Sequence, residues 1–193
     1  MVVVRNGPDA RTLLFGAGLV ATQFVLAETV ARVSMSWCNV VLLAFALGAP
    51  LVQQLFLCVH ECAHDLVLPG SDNNKLAACF FNLPILVPFA IAFREPHRRH
   101  HAKLHSHEDM DVPTEWEVRT FDSCIGRTVW LSFQIVAYAI RPCLLQPQPW
   151  TWWHTANLLF QLSVISRISF LSVTYLLLSV FFAAGPQPTS LHT

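Results

Sequence analysis

The sequence predicts an all-α integral membrane protein that forms a single domain over residues 1–193. Hydrophobic residues make up 54% of the chain and charged residues only 12%, which is too apolar for an ordinary soluble domain. Two apolar runs near the N-terminus are each long enough to cross a bilayer, which takes a helix of ~20 residues. The net charge is zero, so the sequence offers no general electrostatic attraction for nucleic acid, and we expect no nucleic-acid partner.

The two N-terminal runs, at about 12–33 and 37–59, predict a hairpin of membrane-spanning helices. Gln23 and Glu28 lie in the first run, where a polar side chain usually faces the interior of a helical bundle or the membrane interface. A hairpin returns the chain to the face on which it began. Basic residues are concentrated on that face, which the positive-inside rule assigns to the cytosol. They are Arg5, Arg11, Lys75, Arg94, Arg98, Arg99, Lys103, Arg119 and Arg127.

The third apolar stretch, at about 76–93, carries Pro84 and Pro88. Prolines at this spacing break a continuous helix, so we predict a re-entrant segment that returns to the same face instead of a complete span. Residues 129–145 form a further apolar stretch, which Arg141 interrupts. We predict an interfacial helix there, because a charge is costly in the bilayer interior.

The last apolar stretch contains Arg167 near its middle. A single long tilted helix would place this charge inside the bilayer. Two short spans, at about 156–166 and 168–184, avoid that position. We therefore predict two short spans, with the single helix as the alternative.

The second span ends in the sequence CVHECAHDLV (residues 58–67), which has the H-E-x-x-H spacing of zinc proteases. On a helix, His60 and His64 lie one turn apart on the same face and present two imidazoles to one point. A membrane zinc metalloprotease would use both as ligands and Glu61 as its general base. A packing pair has the same spacing, so this motif alone does not decide the function.

A second group of histidines follows the re-entrant stretch. His97, His100 and His101 have the i, i+3, i+4 spacing that lines one face of a helix, and His105 and His107 come shortly after. The alternative is a solvated basic loop that happens to be rich in histidine. The predicted topology, however, brings this group to the same membrane face as the H-E-x-x-H motif. Five imidazoles from two segments exceed the three or so protein ligands of a catalytic zinc, and they favour iron and more than one ion.

Four segments match the pattern of a known family. They are HECAHD (60–65), NLPILVPFAIAFREPHRRHH (82–101), DMDVPTEWE (109–117) and YAIRPCLLQPQPWT (138–151). They resemble four segments of the membrane fatty-acyl desaturase superfamily. The first resembles its first histidine box, and the second resembles the approach to its second box. The third resembles the acidic segment after that box, and the fourth resembles the Arg-Pro connector. The boxes indicate a desaturase or a hydroxylase. The segments between the boxes are similar to those of the sphingolipid delta-4 desaturases within that superfamily.

The resemblance implies a di-iron oxidoreductase that removes two hydrogens from the sphingoid chain of dihydroceramide, a membrane lipid, to give ceramide. It implies two Fe ions, O2 as co-substrate, and cytochrome b5 and its reductase as electron donors. C4-hydroxylase activity is a second outcome, because both reactions begin with the same hydrogen abstraction. The family also implies a multi-pass protein of the endoplasmic reticulum membrane with its metal site facing the cytosol.

Residue roles follow from the same resemblance. Glu61 and Asp65 correspond to acceptors that orient imidazoles. The tail GPQPTSLHT resembles a family segment with a further ligand, which maps to His192. The implied metal ligands are therefore His60, His64, His97, His100, His101 and His192.

The sequence also departs from the family. The third histidine box of the family, another H-x-x-H-H, has no counterpart in residues 108–193, and Asp65 replaces a usual asparagine. We therefore expect little or no turnover by this polypeptide alone. The alternatives to a desaturase are a truncated inactive or regulatory paralogue and the zinc metalloprotease.

Overall fold

The computed structural model describes residues 7–103, 113–131 and 147–184, and it confirms the predicted all-α class. These ranges contain helices and connecting turns, without a strand. The helices are α1 (Arg11–Arg32), α2 (Trp37–Leu43), α3 (Ala49–Ala63), α4 (Ser71–Asn82), α5 (Ala90–Ala102), α6 (Glu115–Thr120), α7 (124–131), α8 (Trp152–Ile165) and α9 (Phe170–Ala184).

Two helices have the length and hydropathy of membrane spans. The first is α1, with 22 residues and a mean hydropathy of 1.6. In the second, α2 continues through a π-helical turn at Ala44–Gly48 into α3, which gives 27 residues with a mean hydropathy of 2.1. The predicted hairpin segments lie within these helices. A turn joins them at Ser34, whose φ of 48° is in the left-handed region.

The π-helical turn is hydrogen-bonded to one polar side chain of α1, which in turn bonds α9. Gln23 of α1 donates from Nε2 to the carbonyl oxygen of Gly48 at 2.7 Å, and its Oε1 accepts from the hydroxyl of Tyr175 in α9 at 3.2 Å. A Cβ on Gly48 would lie 2.0 Å from Oγ of Ser179, so α9 packs here against bare backbone. Gln23 therefore faces the helical bundle, because a buried amide in an apolar setting needs bonding partners.

The stretch around the predicted re-entrant segment forms two helices at a sharp angle. The axis turns by 116° between the helical segments Ser71–Ile85 and Ala90–Ala102. Asn82 holds the break, because its Nδ2 donates to the carbonyl of Val87 at 2.7 Å and its Oδ1 accepts from the amide of Ala90 at 3.1 Å. A bent pair of this kind is either a broken span or a re-entrant loop, so re-entry stays a prediction.

The C-terminal apolar region consists of two helices, α8 and α9, separated by residues 166–169. Arg167 lies in that break. Within α9, Ser172 donates from Oγ to the carbonyl of Ala27 at 2.9 Å and fastens the helix to α1. That α8 and α9 cross the bilayer as short spans stays a prediction. Most of the predicted interfacial segment 129–145 lies outside the described residues.

Candidate metal centre

The two histidine motifs lie on the ends of two helices that pack against each other, α3 and α5. His60 is in the last turn of α3, and His64 caps its C-terminus with a φ of −93°. His97 and His101 lie in the C-terminal half of α5. The bend between α4 and α5 returns the chain to the end of α3, which is how segments more than thirty residues apart meet.

Four imidazoles meet at one point. A ligand atom from each of His60, His64, His97 and His101 lies within 4.8 Å of those of the other three. His97 is the buried member of the group, and its Nε2 lies 3.1 Å from Nε2 of His64 and 3.1 Å from Nε2 of His101. Phe93 stacks on the His97 ring with centroids 4.5 Å apart and fixes its orientation.

These contacts fit a metal ion better than hydrogen bonds alone. A ring nitrogen of neutral histidine carries either one proton or one lone pair, so Nε2 of His97 satisfies one neighbour through a hydrogen bond and not two. Two nitrogens 3.1 Å apart, in contrast, suit a shared ion about 2.1 Å from each, at an angle near 95°. The donor set of neutral imidazoles suits iron, copper, nickel or zinc.

The electrostatics of the cluster keep the central imidazole neutral. Burial lowers the pKa of His97 from the usual 6.5 to about 3, and the other histidines of the cluster lower it further in the same direction. Burial also lowers the pKa of His64, with His60 and His101 as the next causes. A neutral ring has a lone pair free for a metal, so these histidines stand ready as ligands at neutral pH.

His100 lies beside the four-histidine cluster instead of in it. Its ring centroid is 6.2 Å from that of His97 and 5.5 Å from that of His101, and its side chain is half-buried. Its predicted role as a ligand stays a prediction. His192, like His105 and His107, lies outside the described residues.

Glu61 contacts a predicted ligand. Its Oε1 lies 3.3 Å from Nδ1 of His60. A carboxylate at Nδ1 favours the tautomer that has its proton there and its lone pair at Nε2, which is the arrangement that orients a metal ligand. The geometry is compatible with the predicted role of Glu61.

Asp65 contacts arginines instead of an imidazole in the described structure. Its Oδ2 accepts from Nη2 of Arg94 at 2.6 Å and from Nη1 of Arg98 at 3.3 Å, whereas its Oδ1 is buried without a hydrogen-bond partner. Asp65 has a φ of 60°, a left-handed conformation that asparagine and aspartate adopt more readily than most residues. Its predicted role in orienting an imidazole stays a prediction.

Arg94 is the residue that sequence reasoning missed. It is 9% exposed, and it also donates to the carbonyl of Cys62 at 2.5 Å and to Oγ of Ser71 at 3.2 Å. It thereby ties the end of α3 to α5, next to His64 on one side and His97 on the other. The available signal was its position three residues before His97, at the end of an apolar run.

Comparisons with known proteins agree with the motifs. A family model for fatty acid desaturases matches residues 35–191. A sphingolipid delta(4)-desaturase DES1-like protein of Oryza sativa subsp. japonica is 34% identical over 96% of this chain and 58% of its own length. The sphingolipid delta(4)-desaturase of Schizosaccharomyces pombe is 33% identical over 97% of this chain and 53% of its own, and the human sphingolipid delta(4)-desaturase DES1 is 28% identical over 96% and 59%.

The chain thus spans a little over half the length of the curated relatives it matches. No solved structure matches it. The resemblance predicted from the two histidine motifs and the segments between them is confirmed by the family match and by the names of the relatives. The chain belongs to the fatty acid desaturase family.

Proposed function

We propose that this chain acts in sphingolipid delta-4 desaturation, the O2-dependent removal of two hydrogens from dihydroceramide to give ceramide. The observation that carries the proposal is the cluster of four imidazoles from α3 and α5, with ligand atoms within 4.8 Å of one another. The names of the relatives support the reaction class and the lipid. Two apolar helices long enough to cross a membrane support a membrane-embedded substrate.

The proposed cofactor is a pair of Fe ions, which together with O2 supply the oxidising power that an unactivated C–H bond requires. His60, His64, His97 and His101 would hold iron, with His100 and His192 as further proposed ligands. The chain contributes the orientation of these rings. Phe93 stacks on His97, Glu61 lies at Nδ1 of His60, and burial keeps the central ring neutral.

We further infer a multi-pass protein of the endoplasmic reticulum membrane with the metal site facing the cytosol. Cytochrome b5 and its reductase are the proposed electron donors. Support comes from basic side chains beside the histidine cluster, with Arg98 and Arg99 on the last turns of α5. Such residues favour the cytosolic face of a membrane.

Metal content tests the proposal directly. The chain is purified in detergent, loaded with Fe(II) and analysed by elemental mass spectrometry. We expect bound iron in the wild type and its loss in His97→Ala and His60→Ala. His154→Ala serves as the control, because His154 caps α8 at Thr151 and lies outside the four-histidine cluster.

The metalloprotease alternative predicts a different pattern. It requires one zinc per chain and peptide cleavage that Glu61→Gln abolishes, while His97→Ala would keep its metal. That result would overturn the desaturase proposal. Ceramide formation from dihydroceramide with O2, NADH, cytochrome b5 and its reductase tests the substrate and the electron donors. Because little turnover is expected from this polypeptide alone, the supporting result is a low rate that His97→Ala abolishes.

A further inference from the structure

The buried face of α8 is polar although the helix is apolar. Asn157 and Gln161 are its two buried residues, at 0% and 1% exposure, and they lie one turn apart on the same face. Leu159 and Leu162, in contrast, are more than half exposed. Packing alone would favour the opposite arrangement, with leucine inside.

Both amides lack hydrogen bonds. All four polar atoms of the Asn157 and Gln161 side chains are buried without a partner among the described residues. The other buried amides of the described chain are bonded at both their oxygen and their nitrogen. These are Gln23, Asn74 and Asn82. A buried amide without partners is destabilising, and two adjacent ones in one helix indicate partners that come from outside the described residues.

The two amides lie on a helix that packs against one of the two helices that carry the histidine cluster. Its neighbours include α5, which carries His97 and His101, and α4. Phe160, next to Gln161 in sequence, lines an apolar cavity of about 430 Å³ together with Ala77 and Phe80 of α4. The helix that carries the polar pair thus also contributes a side chain to an apolar space of a size suited to part of a lipid chain.

The chemistry of the pair selects the kind of ligand. Each side-chain amide offers two N–H donors and one carbonyl acceptor, so the pair is satisfied by a ligand that both donates and accepts. A secondary amide with a neighbouring hydroxyl does so. An acyl ester or thioester has acceptors only, and it would leave the side-chain oxygens of Asn157 and Gln161 unpaired. Charged head groups are disfavoured, because the pair has no charge and is shielded from water.

We propose that Asn157 and Gln161 form the polar recognition site for an N-acyl sphingoid lipid, and that they bind its secondary amide and adjacent hydroxyl. This inference rests on the proposed function and deepens it. The amide and hydroxyl of such a lipid lie within a few bonds of the carbons that delta-4 desaturation changes. Binding them beside α5 places those carbons near the histidine cluster, while the alkyl chain occupies apolar space.

The test compares lipid affinity with stability. Asn157→Leu and Gln161→Met remove the amides and keep the side-chain size, and Gln23→Met is the matched control for an amide that is bonded within the protein. Binding of short-chain dihydroceramide to the detergent-solubilised chain is measured beside that of the same lipid with an ester in place of its amide. Thermal unfolding and iron content are recorded for every variant.

We expect the wild type to prefer the amide lipid about tenfold and each α8 variant to lose that preference. The lipid-free α8 variants should unfold at or above the wild-type temperature, because they lose unpaired buried groups. Gln23→Met should unfold at a lower temperature and keep the preference for the amide lipid.

Equal affinity of the wild type for the two lipids, absence of dihydroceramide binding, or unchanged preference in both α8 variants would overturn the inference. Iron content is the independent readout. Iron that binds normally in the wild type and is lost in His97→Ala leaves the proposed function standing even if this lipid site fails.

Discussion

Replacing Arg94 with methionine should destabilise the chain and weaken its metal site together. Arg94 is buried and bonds the carbonyl of Cys62, the carboxylate of Asp65 and the hydroxyl of Ser71. Removing one partner of a buried ion pair costs roughly 3–5 kcal/mol. Because the Asp65 side chain is 29% exposed and keeps its contact with Arg98, we expect the lower end of that range, about 3 kcal/mol.

The assay is thermal unfolding of the metal-free chain in detergent, followed by circular dichroism. At about 2–4 °C per kcal/mol for a chain of this size, Arg94→Met should unfold roughly 6–12 °C below the wild type. Its iron affinity should fall about tenfold, since contacts that support metal ligands have effects of that order. The reason is that Arg94 fastens the chain beside His64 to the helix that carries His97.

Two matched variants make the prediction specific. Asp65→Asn keeps a residue suited to the left-handed backbone and an oxygen acceptor, and Arg94 keeps its bonds to Cys62 and Ser71, so it should cost less than Arg94→Met. Arg98→Gln removes a half-exposed contact of 3.3 Å and should cost less than about 1 kcal/mol. An Arg94→Met chain that unfolds within about 2 °C of the wild type, or no further below it than Arg98→Gln does, would refute the reasoning.

Three further results are expected. Gly48→Ala should lower the unfolding temperature, because its Cβ would lie 2.0 Å from Oγ of Ser179, whereas Gly18→Ala, with nothing within 4 Å, should be neutral or raise it. Gln23→Leu should destabilise by about 1–3 kcal/mol, measured by the same unfolding, because it removes the buried hydrogen bonds that Gln23 makes with the Tyr175 hydroxyl and the Gly48 carbonyl. The third result is a pH dependence. The pKa of His97 is lowered to about 3, so below pH 6.5 the unfolded chain binds a proton that the folded chain does not. The stability of the metal-free chain should therefore fall as the pH drops from 6.5 towards 3. His97→Asn should reduce that slope in unfolding experiments across the pH range.

The helices and much of the candidate site could be predicted from the sequence, because both follow from local spacing. His60 and His64 repeat at i, i+4, and so do His97 and His101, so each pair lies on one face once its helix forms. Pro84 and Pro88 placed the break after α4. What brought the two pairs together was the prediction of a return to the same membrane face.

The parts that could not be predicted depend on which side chains become buried when the helices pack together. Arg94 looked like one basic residue among several, since sequence does not show that its guanidinium is buried between α3 and α5. Asn157 and Gln161 counted only as members of an apolar stretch, because composition does not reveal which face of a helix is buried against its neighbours. The π-helical turn at Ala44–Gly48 was not predicted either, although Pro50 just after it lacks the amide proton that a regular helix needs at that position.

The sharp bend between α4 and α5 links the metal supply to the amount of folded protein. Two of the clustered histidines lie at the end of α3, before this bent pair, and two lie on its second helix, α5, so an ion bound by both helices also fastens the pair to the spanning hairpin. An ion that binds the folded chain and not the open one raises the folded population by mass action. If the proposed iron is the ion bound there, the bent pair would detach more often in cells short of iron and expose apolar surface to quality-control proteases, so the abundance of the protein would follow the iron status of the cell.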